Sequence, residues 1–105
     1  MKTYNTLTTD KLLDLLEKRF PDCWFKDASL FKSNYQGVWT GEGSYIEEVI
    51  DTSDNTMKIP AFDMYGHHTI YEMGVHKQLV AFLDQFGLYA EAYDSGTFFI
   101  FISTL

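Results

Sequence analysis

A chain of 105 residues, 46% apolar and 22% charged, can bury one core and is too apolar to stay disordered. Its net charge of -7 opposes direct binding to DNA, RNA or anionic lipid, and its lone cysteine, Cys23, excludes an internal disulfide. With no run long enough to span a bilayer and no signal-peptide stretch in residues 1–6, a single cytoplasmic domain over residues 1–105 is expected.

The first element is a helix. Leu12, Leu13, Leu15, Leu16 and Phe20 form an apolar stripe, Thr8 can cap the N-terminus, and Leu7 and Leu12 have the spacing of a hydrophobic staple. Asp14 and Lys18 make an i,i+4 pair, and Pro21 stops the helix at Phe20. Cys23-Trp24-Phe25 reads as a short strand or a lid on the core, and residues 32–37 as a loop. Val38 to Ile50 reads as one long extended segment, interrupted by Gly41 and Gly43. Asp51 to Asn55 is a turn, and Met57 to Phe62 a return strand that Pro60 places at an edge.

A second helix is predicted from Met73 to Phe86, because Val75, Leu79, Phe82, Leu83 and Phe86 share one helical face, with Gly87 as C-terminal cap. Tyr89 to Asp94 and Thr97 to Ser103 then form a hairpin through Ser95-Gly96. Pairing Asp94 with Thr97 sets Ala90 and Ala92 opposite Phe101 and Phe99, and Tyr89, Glu91 and Tyr93 opposite Ile102, Ile100 and Phe98. Both faces of that last strand are apolar, so it should be central and covered on each side. The expected fold is α+β, an antiparallel sheet of about four or five strands with two amphipathic helices packed on one face.

Three groups of residues could carry chemistry. His67, His68 and His76 stand near Asp63 and Glu72, and His68, Glu72 and His76 would share a face if the second helix began early enough, a set that could hold zinc. Strand-like Thr69-Ile70-Tyr71 breaks that spacing and favours a polar loop with one exposed histidine in the first turn of the helix. Cys23 follows Asp22, and negative charge and burial both raise a thiol's pKa, so it reads as a packing residue. On one extended strand Trp39, Gly41, Gly43 and Tyr45 would form a face with two bare positions between two aromatics. This is either a slot for a planar ligand or room for close packing.

The strongest asymmetry is electrostatic. From Ser33 onward there are ten carboxylates and two cations, Lys58 and Lys77, together with thirteen of the eighteen aromatic residues. Glu47, Glu48, Asp51 and Asp54 surround the predicted turn. With Glu42, Trp39 and Tyr45 they make a candidate surface for a partner protein with a basic face.

Trp39-Thr40-Gly41-Glu42-Gly43 and the C-terminal run from Gly74-Val75-His76 through Leu88 to Thr97 resemble small uncharacterised accessory proteins of phages and prophages. The resemblance brings no activity and no site residues. It implies a context in which small acidic proteins bind and block host proteins. No catalytic set or cofactor motif is recognised, so the leading expectation is a non-enzymatic inhibitor of a host nucleic-acid-binding or defence protein. The alternatives are a homo-oligomeric structural or assembly protein and a metal-dependent enzyme built on the histidine cluster.

Overall fold

The computed structural model describes residues 7–49 and 56–102. Helix α1 (Thr9–Arg19) starts where its residues dictate, with the Thr8 hydroxyl accepting the Lys11 amide at 3.2 Å and Asp10 in the first turn. Lys18 meets Asp14 at 3.3 Å on the exposed side. Phe20 donates its N–H to the Leu16 carbonyl, and Pro21, with no N–H to give, ends the ladder. Leu12, Leu16 and Phe20 are buried along one face.

The chain continues through strand β1 (Lys26–Asp27), a short 3-10 helix (Ala28–Leu30), and strands β2 (Gly37–Gly41), β3 (Tyr45–Val49), β4 (Thr56–Pro60), β5 (Tyr71–Glu72) and β6 (Val75–His76). Helix α2 (Lys77–Asp84) and strands β7 (Ala90–Asp94) and β8 (Thr97–Phe101) complete it. An antiparallel sheet has the order β1-β2-β8-β7, while β3-β4 and β5-β6 are separate two-stranded ribbons. The fold is thus α+β with two helices and a four-stranded sheet among the described residues. The last strand, β8, is central as its two apolar faces require.

Val38, Thr40, Phe98 and Ile100 share one sheet face, since Val38 pairs with Ile100 and Thr40 with Phe98. They join Leu12, Leu16 and Phe20 of α1 and Leu79 and Leu83 of α2 in the core. Phe62 stacks on Phe98 with ring centroids 4.3 Å apart, tying the segment after β4 to the sheet. Residues 22–25 are a lid rather than a strand. The Thr40 hydroxyl donates to the Trp24 carbonyl at 2.6 Å, the Ser44 hydroxyl accepts the Trp24 amide at 3.1 Å, and Phe25 is buried beneath.

The opposite sheet face carries Lys26, Trp39, Glu91, Phe99 and Phe101. Its cover comes from the connection between β1 and β2. Asp27 accepts the Ser29 amide at 2.9 Å and the Ser29 hydroxyl at 2.8 Å, which holds its carboxyl below the usual carboxylate range and fixes the turn. Phe31 and Tyr35 then lie over Phe99 with ring centroids 5.0 and 5.1 Å away, and Phe99 is buried despite its outward position.

Three local expectations are corrected. Asp94 does face Thr97, and its carboxylate takes the Gly96 amide at 2.9 Å. A bulge between Ala92 and Asp94, however, shifts the rest of the hairpin by one residue. Ala90 and Ala92 therefore oppose Ile100 and Phe98, and Glu91 opposes Phe99. The unbulged register would point Glu91 and Tyr93 into the core beside Phe98 and Ile100. The extra residue returns the carboxylate to solvent.

The Val38–Ile50 segment is two strands. The chain turns through Glu42-Gly43, with Gly43 at φ 96°, and the Glu42 amide closes on the Gly96 carbonyl at 2.9 Å. The second helix begins at Lys77 rather than Met73, because residues 71–76 form the β5-β6 hairpin around Met73 and Gly74. Both of these turn residues have left-handed φ, 53° and 84°. At the other end Gly87, at φ 69°, lets the Leu88 amide return to the Leu83 carbonyl.

Candidate functional site

The β3-β4 hairpin pairs Tyr45 with Pro60, Glu47 with Lys58 and Val49 with Thr56. Alternation points Ile46 and Glu48 inward and Tyr45, Glu47 and Val49 outward. Glu48 is therefore not a free surface charge. One carboxylate oxygen lies 2.8 Å from Nε2 of His76, which is 1% exposed, and this burial overturns the expectation of an exposed histidine in the first turn of the helix. His76 Nδ1 accepts the Gln78 amide at 3.0 Å and so caps α2. That bond places the proton of the neutral ring on Nε2, facing Glu48. The 2.8 Å contact ties the inward side of β3 to the start of α2. Gln78 completes the joint by donating to the Glu47 carbonyl at 3.0 Å.

Burial lowers the pKa of His76 below its ordinary 6.5, against an opposing pull from Glu48. As pH falls through 6.5 the unfolded chain takes up a proton that the folded chain still refuses. The contribution of this residue is thus full above 6.5 and declines on acidification. In urea unfolding at pH 7.5 and 5.5, His76→Gln should lose less stability between the two conditions than the wild type. Equal losses would refute the assignment.

The residues expected to meet a partner are dispersed. Trp39 lies on the outer face of the four-stranded sheet, 5.4 Å from the Trp24 ring, with the Lys26 ammonium 5.7 Å above it. Tyr45 stands in a different sheet, so the two do not frame one slot. Glu42 is exposed at the β2-β3 turn, where its carbonyl accepts the Trp24 indole N–H at 2.7 Å. Glu47 is exposed across from Lys58, yet Lys58 turns to Asp22 at 3.2 Å. Asp51 and Asp54 lie outside the described residues.

The histidine group does not converge. His67 and His68 stack on each other in an exposed loop with centroids 4.6 Å apart, and His67 Nδ1 bonds the Thr69 hydroxyl. The Asp63 carboxylate accepts the Tyr65 amide, and Glu72 is exposed on β5. His76 faces Glu48 instead, because the β5-β6 hairpin replaces the helical turn that would have aligned it with His68 and Glu72. Among the described residues, no three His, Cys, Asp or Glu side chains gather as a metal would need. Burial pushes the Cys23 thiol up to about 11, and its S–H donates to the Tyr45 carbonyl at 3.4 Å. No protein-family model, curated protein or solved structure matches the chain.

A surface that the sequence reading missed lies along β7. A groove of about 270 Å³ runs between Ala90 and Ala92 of that strand and Met64, Met73, Val75 and Val80. Glu72 and Glu91 also line it, with no cation among the lining residues. Tyr89 and Met73, which also line it, are 67% and 87% exposed. The alternation Ala90-Glu91-Ala92 was the available signal, hidden by the register shift. Among the described residues, no helix is long and apolar enough to cross a membrane.

Proposed function

We propose that this chain is a small acidic protein-binding module without catalytic chemistry of its own. Its partner carries a basic surface, as a host nucleic-acid-binding or defence protein blocked by a phage-type inhibitor would. The observation supporting this reading is that exposed carboxylates and exposed tyrosines share the sheet edge, Glu91 and Asp94 with Tyr89 and Tyr93, and exposed Met73 of the β5-β6 turn lines the groove beside them. Charge of one sign steers a partner from a distance, and large amphipathic side chains supply short-range burial once it arrives.

The expected result is capture of a basic protein at about 0.05 M salt that is lost at about 0.5 M, where the Debye length falls to about 4 Å. Combined reversal of Glu42, Glu47 and Glu91 to lysine should abolish the capture. Glu48 is left intact because reversing it would break its contact with His76. A partner that stays bound in high salt and to the triple variant would sink the proposal.

A further inference from the structure

Strand β7 borders the four-stranded sheet, and among the described residues its outer edge pairs with no other strand. An unpaired edge offers backbone N–H and C=O groups to any extended chain that can reach it. Beside this edge lies the groove between β7 and the β5-β6 hairpin. Two features keep it open. Ala90 and Ala92 present nothing beyond Cβ on the groove side, and Gly74 leaves room for Met64, whose sulfur lies 2.7 Å from where a Cβ would stand. By strand alternation Glu91 and Tyr93 face the other side of β7, with Glu91 also bordering the groove at the strand edge.

We propose that the β7 edge and its groove take an extended segment of the basic partner as an added strand. The segment is alternately apolar and basic, with apolar side chains entering the groove towards Val75 and Val80. Lysine or arginine falls on the opposite face, beside Glu91 and the ring of Tyr93. This rests on the reading of the chain as a binder of basic proteins and assigns that binding a place and a mode. The alternation follows from β7 itself, since an added strand shares the two faces of its neighbour, one lined by alanines and one by a carboxylate and an aromatic ring. A second copy of the chain fits less well. Antiparallel pairing of two β7 edges would crowd Glu91 and Asp94 of one copy against the same carboxylates of the other.

The test uses the purified full chain and a fluorescein-labelled heptapeptide alternating lysine and valine, compared with a peptide of the same composition in block order. Two further peptides carry backbone N-methyl groups on one or the other alternate set of residues. The alternating peptide should bind at least about tenfold tighter than the block peptide. Only one of the two N-methylated peptides should lose that advantage, because only one set of amides faces β7. Ala92→Leu, an exposed position whose new side chain fills the groove, should weaken binding about tenfold with the circular dichroism unchanged. Glu91→Gln should weaken it and flatten its salt dependence.

Equal binding of all four peptides would overturn strand addition and leave a merely acidic surface, with the broader proposal intact. No binding of the alternating peptide at low salt would overturn it as well. A dimer by light scattering that Ala92→Leu dissolves would assign the edge to a second copy and overturn the basic segment. Loss of salt-sensitive capture from lysate, with peptide binding retained, would instead count against the broader proposal alone.

Discussion

Replacing Phe98 with alanine is expected to cost about 4–5 kcal/mol, the upper part of the range for a buried phenylalanine. The ring is wholly buried on the helix-facing side of β8 and stacks on Phe62 at 4.3 Å. Its cross-strand neighbours are Thr40 and Ala92. Thr40 is held by its bond to the Trp24 carbonyl, and Ala92 has nothing beyond Cβ to lean into the gap, so the cavity would stay open. Phe99→Ala is the internal comparison. Its ring is equally hidden, but its cover is Phe31 and Tyr35 on an irregular connection that can settle inward. The Phe99 variant should lose less, by about 1 kcal/mol or more. Urea unfolding of both variants decides the order. A larger loss at Phe99 would mean that the outer aromatic layer, and not the helix-facing core, dominates stability.

Some of this architecture was readable because local rules and tertiary packing agree there. Helix α1 has a capping threonine, a continuous apolar stripe and a terminating proline, and nothing in the fold overrides them. The centrality of β8 followed from hydrophobicity on both of its faces. What escaped was decided by contacts distant in sequence. Apolar spacing cannot show that Val75 reaches the core from a strand while Leu79 and Leu83 reach it from a helix, since both solutions bury all three. Met73, a non-glycine residue at positive φ, gave no sequence signal for the tight turn that starts the difference.

The candidate site was less legible for the same reason. Glu48 and Glu47 are adjacent and chemically alike, and only strand alternation separates the carboxylate that joins His76 from the one left to solvent. The groove depends on a single bulged residue. Without it, Ala90 and Ala92 would turn to the outer face and Glu91 to the core. The charge asymmetry was visible from composition, whereas which carboxylates border the groove required the fold.

Gly37→Ala should be among the most damaging single substitutions in the chain, at about 2–6 kcal/mol, summing the ranges for a left-handed backbone and for overpacking. Gly37 opens β2 at φ 132° and pairs with Phe101. A Cβ there would strike the carbonyl oxygen of Ile100 and lie 3.0 Å from the Phe101 Cα, backbone atoms of a central strand that cannot step aside. Relief would require β2 to part from β8, and with it would go the pairing of Val38 with Ile100. Gly87→Ala separates the two causes. Gly87 is also left-handed, at φ 69°, but a Cβ added there meets nothing within 4 Å, so only the backbone cost of about 1 kcal/mol should remain. For a domain whose whole stability is on the order of 5–15 kcal/mol, the first change brings the chain near unfolding and the second leaves it folded. Thermal melts of the two variants should therefore differ widely, and matching melting temperatures would refute the close approach of β2 to β8 at Gly37.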